Sequence, residues 1–193
     1  MTWVVPIVPL STPRLTLRML RPADAAGLAA YRDDPETARF QDWALPYPVE
    51  DAVELAGGQL DLDDITLGRW VQLAIDHVDR DEGSVAMVGD VGVGLDEAGR
   101  VASIGYTLAP GWRGRGLARE AVATVIDALF QHLGVHRIVA TLDPDNAPSE
   151  RLLVALGFTR EGLLRQSVEV RGEWVDDLVY SLLRSDRFGV GSS

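Results

Sequence analysis

The segment Trp112-Arg113-Gly114-Arg115-Gly116-Leu117-Ala118 lies between an apolar, strand-like run at residues 101–108 and a long, helix-like run at residues 116–133. Its two glycines let the backbone approach a ligand closely, and its two arginines add positive charge. The predicted helix directs its first free N–H groups and the positive end of its dipole at the same turn. Strand, turn and helix start therefore predict a site for the pyrophosphate of a phosphorylated cofactor.

Three kinds of phosphate-binding loop compete for this turn. A nucleotide triphosphatase loop requires Gly-x-x-x-x-Gly-Lys followed by Ser or Thr, and the turn lacks that lysine and hydroxyl. Gly114-x-Gly116 begins a dinucleotide fingerprint, but Arg119 occupies the position of its third glycine. Arg113-x-x-Gly116-x-Ala118 matches the coenzyme A loop, Arg/Gln-x-x-Gly-x-Gly/Ala. The alternative is a polar surface turn that caps a helix, because short motifs often mislead.

The composition indicates one globular domain that binds neither DNA nor RNA. The chain has 193 residues, of which 47% are hydrophobic and 24% charged, as in ordinary soluble domains with a sizeable core. The absence of cysteine excludes disulfides, thiolate metal sites and a cysteine acyl-enzyme. A formal net charge of −11 argues against a nucleic acid partner and is compatible with a cationic one, such as an amine. The alternative explanation of this charge is solubility.

The chain shows no signal for a membrane or a metal. No apolar run is long enough to cross a bilayer. Residues 2–10 are apolar but short, contain two prolines and lack a basic leader, which makes them a poor secretion signal. We therefore expect a cytoplasmic protein. The histidines His77, His132 and His136 do not show the spacing of zinc ligands, so no metal site is expected.

Hydrophobic periodicity predicts a mixed α/β or α+β domain around one sheet. Strands are predicted over residues 14–20, 70–76, 85–95, 101–108, 137–142, 158–170 and 175–183. Helices are predicted over residues 22–31, 35–40, 49–60, 116–133 and 148–156, and a polar turn over 77–83. Residues 1–13 are expected to form an N-terminal extension to a core at 14–183, and residues 185–193 a loose tail. Trp70 and Trp112 are expected to pack in the core.

Further motifs follow the pyrophosphate turn in a characteristic order. They are Asn146-Ala147-Pro148-Ser149, Leu156-Gly157-Phe158, Glu161-Gly162 with Arg165, and Asp176-Asp177 with Tyr180-Ser181-Leu182. With this order and spacing, residues 14–183 resemble the GNAT family of acetyl-CoA-dependent N-acetyltransferases, in its RimJ/RimL branch of ribosomal-protein-alanine N-acetyltransferase-like proteins. The resemblance implies a mixed, strongly curved sheet flanked by helices, with two central strands that splay apart and admit the pantetheine arm.

The resemblance also implies acetyl-CoA as cosubstrate and assigns its binding residues. Arg113, Gly114, Arg115, Gly116, Leu117 and Ala118 would wrap the pyrophosphate. Thr107 and Leu108 would pair with pantetheine, with the Leu108 N–H polarising the thioester carbonyl. Asn146 would bind pantetheine or hold the helix that follows it, and its alternative role as a helix cap does not conflict with this.

Ser149 is assigned by the resemblance to the departing thiolate, which it would stabilise or protonate. Many family members place a tyrosine four residues before the Gly-Phe pair for this purpose, but Leu153 stands there. The RimJ/RimL branch carries a serine three residues after the asparagine, as Ser149 is here. The alternative is a first-turn serine that bonds only to the backbone.

The general base is the least defined part of the expected site. Relatives often carry glutamate seven residues before the asparagine, where this chain has Val139. Asp176 is taken as the candidate, and its alternatives are Asp177, Glu173, Asp143 and Tyr106. An α-amine has a pKa of about 8 and a lysine about 10.4, so an amine with a low pKa needs less help from a base.

The expected reaction is direct acetyl transfer to a primary amine, either a protein or peptide N-terminus or a small cationic molecule. The rival functions are a non-catalytic acyl-CoA-binding or sensor module that has lost its base, and a nucleotide-binding enzyme of another class. Trp43, Tyr47 and Trp174 would border the acceptor groove or a dimer interface. A homodimer is left open.

Overall fold

The computed structural model describes residues 7–189. The first six residues of the predicted N-terminal extension and the last four of the predicted tail lie outside the described residues. Eight strands form one sheet in the order β1-β2-β3-β4-β5-β6-β8-β7, and every neighbouring pair is antiparallel except β5 and β6. The strands are β1 (Leu10–Ser11), β2 (Leu15–Met19), β3 (Trp70–Asp79), β4 (Ser84–Leu95), β5 (Val101–Leu108), β6 (Arg137–Leu142), β7 (Thr159–Val170) and β8 (Glu173–Leu183).

The helices lie on both faces of this sheet. They are α1 (Ala25–Arg32), α2 (Pro35–Ala38), α3 (Val49–Gly57), α4 (Leu117–Gln131), α5 (Ala147–Ala155) and α6 (Arg184–Phe188), with short 3₁₀ turns at Pro22–Asp24 and Pro110–Trp112. Leu73 of β3 packs in the main core with the apolar face of α4, whereas its neighbour Ala74 packs with α1 and α3. Adjacent strand residues point to opposite faces, so the two helical layers sandwich the sheet.

The central strands β5 and β6 part soon after they meet. Their parallel ladder pairs only Val101–Ser103 of β5 with Arg137–Val139 of β6. Beyond it, β5 stays paired with β4 as far as Leu108, and β6 stays paired with β8 as far as Leu142. The edge of β5 that faces β6 therefore has no ladder partner from Ile104 onward. The predicted fold class, with its mixed sheet, flanking helices and splayed central pair, is confirmed.

Some element bounds differ from the prediction. The expected turn at residues 77–83 begins late, because His77, Val78 and Asp79 still pair with β4. The tail predicted to be loose from residue 185 instead starts with α6, which an ion pair of 2.9 Å between Arg187 and Asp127 ties to α4. Within residues 7–189, no helix combines the length and apolar character needed to cross a membrane.

Candidate active site

A cleft of about 440 Å³ opens between the end of β5 and the starts of α2, α4 and α5. Gly114 and Gly116 in its wall have φ angles of 74° and 76°, which a glycine adopts without strain. Gly116 is the N-cap of α4 and no side chain caps this helix. The first N–H groups of α4 are therefore left for a ligand, and the helix dipole favours an anion there.

The residues predicted to bind the cofactor lie along this cleft, with one exception. Those on its wall are Thr107, Leu108, Arg113, Gly114, Gly116, Leu117, Ala118, Asn146 and Ser149. Arg115 does not line it. The Arg115 guanidinium instead stacks over the Trp112 ring at 4.9 Å, and the Arg115 carbonyl accepts a hydrogen bond of 3.1 Å from Arg14. Arg115 therefore contributes to the shape of the loop rather than to the surface of the cleft.

Arg113 connects the loop to two other parts of the wall. Its Nε donates to the Leu108 carbonyl at 3.0 Å, and its Nη2 donates to the Thr37 hydroxyl at 2.6 Å. The side chain of Asp34 holds the same Thr37 through its N–H and its hydroxyl, both at 2.8 Å. The guanidinium thus fixes the mouth of the cleft while it adds positive charge beside the N-terminus of α4. No local signal in the sequence pairs Arg113 with Thr37, which lies 76 residues away.

Ser149 faces the cleft beside a tyrosine. Its hydroxyl lies 2.7 Å from the Tyr106 hydroxyl, and its N–H donates to the Asn146 side chain at 3.2 Å. Asn146 therefore caps α5 and fixes Ser149 at the same time. Burial raises the pKa of Tyr106 to about 12, so its phenol stays protonated near neutral pH. This state disfavours Tyr106 as the general base, one of the alternatives considered from the sequence.

A second cavity, of about 820 Å³, lies on the sheet face that α1, α2 and α3 cover. We name this second cavity the acceptor cavity and the first the cofactor cleft. Tyr106, Phe40 and Gln41 line both of them, and also a small void of about 90 Å³ in the gap between β5 and β6. The two large cavities therefore meet at Tyr106, where the strands part. A group bound in the cleft can reach the acceptor cavity through this gap.

The two neighbouring aspartates of β8 differ in whether they line the acceptor cavity. Asp177 lines it, whereas Asp176 does not and accepts a hydrogen bond of 2.8 Å from the Gln166 N–H. Successive strand residues point to opposite faces, so Asp176, the catalytic candidate from the sequence, lies off this cavity, and its alternative Asp177 lies on it. Burial and the nearby Asp143 carboxylate raise the pKa of Asp177, although a hydrogen bond from Thr141 opposes them.

A buried polar cluster that the sequence did not reveal closes the cavity on the side of α1. Asp90 of β4 is 1% exposed and accepts hydrogen bonds from Tyr31, Gln72 and Arg32, the last at 3.2 Å. These three donors hold the Asp90 carboxylate in place beside the cavity. The Arg32 guanidinium also stacks over the Trp43 ring at 4.3 Å.

The tryptophans considered in the sequence, and Val139 in place of the family glutamate, differ in their position relative to the acceptor cavity. Trp43 lines the acceptor cavity as expected, whereas Trp174 is exposed and does not line it. The expectation that Trp70 lies in the core is wrong, because this residue is 50% exposed on the cavity wall. Val139 does not line the cavity. Among residues 7–189, no group of three His, Asp or Glu side chains is arranged to hold a metal.

The cleft fits a coenzyme A molecule by its chemistry. A left-handed glycine turn, uncapped helix N–H groups and a guanidinium suit a pyrophosphate. The unpaired edge of β5 offers backbone groups to an amide-containing arm such as pantetheine.

Comparisons with known proteins agree with this geometry. A family model described as an acetyltransferase (GNAT) domain matches residues 14–159. The uncharacterized N-acetyltransferase p20 of Bacillus licheniformis is 34% identical over 182 residues, which cover 93% of this chain and 98% of that protein. The ribosomal protein uS5-alanine N-acetyltransferase of Escherichia coli is 29% identical over 186 residues, 94% of each chain. The structure of Mycobacterium smegmatis RimJ in complex with CoA-disulfide superposes with a TM-score of 0.76 at 28% identity, covering 94% of this chain and 88% of that one.

Fold, site and likeness together define an acetyltransferase. The chain belongs to the GNAT family, whose members use acetyl-CoA, and it resembles the RimJ/RimL branch as its motifs implied. The rival identification as a nucleotide-binding enzyme of another class is wrong, because the family model covers the turn on which that idea rested.

Proposed function

We propose that this acetyltransferase moves the acetyl group of acetyl-CoA directly onto a primary amine held in the acceptor cavity. The observation that carries the proposal is that the cofactor cleft and the acceptor cavity share Tyr106, whose hydroxyl lies 2.7 Å from that of Ser149. A thioester in the gap between β5 and β6 would face an amine on the other side. Direct transfer needs no acyl-enzyme, and the chain has no cysteine to form a thioester intermediate.

The cofactor half of the site would act by binding and polarisation. Acetyl-CoA, when bound, supplies an activated acyl thioester. The loop Arg113 to Ala118 and the start of α4 would hold its pyrophosphate, while Thr107 and Asn146 would hold its pantetheine arm. The Leu108 N–H would donate to the thioester oxygen as negative charge develops there. One such donor typically contributes about 10²- to 10³-fold to the rate.

Ser149 would donate a hydrogen bond to the departing sulfur. Tyr106 would in turn donate to the Ser149 oxygen, which leaves the serine hydrogen free to point at the sulfur. The raised pKa of Tyr106, about 12, supports this role because the phenol keeps its proton. Tyr106 is in this proposal a positioning residue for Ser149.

Asp177 would accept a proton from the amine, directly or through water. Its raised pKa supports the assignment, because a carboxylate becomes a better base as its pKa rises toward that of the amine. An α-amine, with a pKa of about 8, is a better match than a lysine side chain at about 10.4.

The acceptor class follows from the same reasoning. We propose a peptide N-terminus or a small amine with a comparably low pKa, and the uS5-alanine N-acetyltransferase supports the peptide as one member of that class. A cytoplasmic location and a homodimer stay predictions.

Calorimetry with acetyl-CoA, followed by thiol release with a panel of amines and N-terminal peptides, tests the proposal. Asp177→Asn should lower kcat/KM about 10²- to 10⁴-fold, the contribution that a general base typically makes. Asp176→Asn, one residue away and off the cavity, is the matched control and should not. Binding of acetyl-CoA without thiol release against any amine would instead support the non-catalytic acyl-CoA-binding module.

A further inference from the structure

Trp70 forms a flat platform in the wall of the acceptor cavity. One face of its indole lies on the backbone of β4. A Cβ added at Gly92 would approach the ring to 2.3 Å, and one added at Gly94 would approach it to 2.7 Å. The indole Nε1 donates to the Gln72 side chain at 3.0 Å, which fixes the ring in its plane. Since the residue is 50% exposed and lines the cavity, the opposite face of the ring is open to a ligand.

Two of the three other aromatic rings on this cavity, those of Phe40 and Trp43, are already covered by arginines of the chain. The Arg39 guanidinium lies 4.9 Å from the centre of the Phe40 ring, and that of Arg32 lies 4.3 Å from the centre of the Trp43 ring. Trp70 has no such cation among residues 7–189. Indole is the aromatic group that attracts a cation most strongly, so Trp70 is better suited to bind a cation than Tyr106, the other uncovered ring on this cavity.

The charges of the cavity favour a cation as well. Its wall carries five carboxylates against three arginines. Arg32 pairs with Asp90, and Arg171 donates to the carbonyls of Ala38 and Arg39 at 3.1 and 3.3 Å. The other carboxylates, which are those of Asp42, Asp143, Glu173 and Asp177, form no ion pair among the described residues.

We infer that Trp70 binds a second positive group of the acceptor, so that the substrates are di- or polycationic amines. This inference rests on the proposed acetyl transfer. The outer rim of the indole lies 4.0 Å from a Cβ built on Gly105, one residue before Tyr106. Leu108, where the thioester would be polarised, lies three residues along β5, which is roughly 10 Å at the rise of a strand. The second charge should therefore be separated from the reacting amine by up to about 10 Å.

Matched pairs of acceptors test this inference. One pair, the diamine pair, is lysine amide against norleucine amide, and the other is the peptide amide Ala-Arg-Ala against Ala-Gln-Ala; in every member an α-amine of low pKa is the reacting group. The wild-type protein should show a kcat/KM about 3- to 30-fold higher for the cationic member of at least one pair, the range that a cation on an indole face supplies. The diamine pair identifies a small polyamine as the source of the charge, and the peptide pair identifies a basic side chain.

Trp70→Leu should reduce this preference by most of that factor and leave the affinity for acetyl-CoA unchanged, because Trp70 does not line the cofactor cleft. Trp70→Phe should retain part of the preference. Trp174→Leu removes an equally exposed tryptophan that does not line the cavity, and serves as the control. If Trp70→Leu does not fold, Gly92→Ala displaces the indole without removing it and should have the same effect. An equal kcat/KM for both members of each pair, or a preference in Trp70→Leu or Gly92→Ala as large as in the wild type, would overturn the inference. Thiol release with none of the four acceptors would instead count against the proposed transfer.

Discussion

The contact between Tyr106 and Ser149 leads to a quantitative prediction about the leaving thiolate. Ser149→Ala removes the hydroxyl that would meet the sulfur. Tyr106→Phe keeps the ring, which packs against the main core, and removes only the oxygen that lies 2.7 Å from Ser149. If the tyrosine acts through the serine, the two substitutions should affect the same step and should not be additive.

The magnitudes follow from the charges of the groups involved. A hydrogen bond to a charged group is worth about 1.5–3 kcal/mol, and each 1.36 kcal/mol is tenfold in rate, so Ser149→Ala should lower kcat about 10- to 150-fold. The bond between the two neutral hydroxyls is worth about 0.5–1.5 kcal/mol, so Tyr106→Phe should lower kcat about 2- to 12-fold. In the Ser149→Ala protein, Tyr106→Phe should cost less than about twofold, because no hydroxyl remains to be oriented.

The assay is thiol release at saturating acetyl-CoA and amine, measured from about pH 6 to 9 for the four proteins of the cycle. Because the pKa of Tyr106 is raised to about 12, the phenol stays neutral over this whole range, which spans the pKa of an α-amine. Tyr106→Phe should therefore lower kcat by one constant factor at every pH. Tyr180→Phe is the control, since its hydroxyl binds Glu150 at 2.5 Å, outside both large cavities, and its loss should change stability but not kcat.

Two results would contradict this reasoning. Fully multiplicative effects of Tyr106→Phe and Ser149→Ala on kcat would mean that the two hydroxyls act independently. Loss of an ionisation from the pH profile of Tyr106→Phe would mean that the phenol itself exchanges a proton in this range and serves as a base.

Three further predictions concern the other parts of the site. Since the pKa of Asp177 is raised, the rate of acetylation should fall as the pH drops through that raised pKa. Asp143→Asn removes a like charge beside Asp177, so it should shift this fall in rate to lower pH. Because the pKa of Asp177 is higher in the folded protein than in the unfolded chain, ionisation of Asp177 lowers the stability of the fold as the pH rises through that raised pKa. Asp177→Asn should therefore raise the melting temperature at neutral pH while it lowers the activity. Gly116→Ala places a side chain on a residue with a left-handed backbone conformation, which should lower the free energy of denaturant unfolding by about 1–2 kcal/mol. Calorimetry should show an affinity for acetyl-CoA that is about tenfold lower. Gly111→Ala is the control and should change neither quantity, because the added Cβ would lie in open space.

The cofactor half of the site could be predicted because its signal is local. Turn, glycines and helix start are contiguous in sequence, and the bounds of β5 and β6 match the predicted strands because each is an apolar run between turn residues. The reach of Arg113 to Thr37 could not be predicted, because it depends on where α2 packs against the loop. Sequence reasoning therefore identified the backbone of the site and missed the contacts that hold it.

The choice between the two candidate bases on β8 depends on strand register. Asp176 and Asp177 are chemically identical neighbours, so the sequence offers nothing to distinguish them. The face that each occupies is fixed by the pairing of β8 with β6 and by an irregularity in β7 between Leu164 and Val168. A shift of one residue would exchange the two carboxylates between the cavity and the opposite face.

Trp70 was misplaced because a large aromatic residue in a strand usually packs inward. Here the inward neighbours on β4 are glycines, and the ring lies flat on their backbone instead of filling a core. Gly92 and Gly94 lie within the strand predicted over residues 85–95. Gly94 pairs with Trp70 and Gly92 pairs with Gln72. Two glycines opposite a tryptophan indicate that the ring can lie on their backbone, but this signal can be used only when the pairing of β3 with β4 is known.

The wall between the two large cavities is held by contacts with distant parts of the chain. Phe40 and Gln41, which line both cavities, directly follow α2. This helix is bonded on one side to the cofactor loop, through Thr37 and Arg113, and on the other to the turn between β7 and β8, through Arg171. Four residues of helix are too few to hold a position by themselves. The position of the dividing wall is therefore set by the loop that would bind the cofactor and by the hairpin that borders the acceptor cavity, so each cavity has its shape only when the other side is in place.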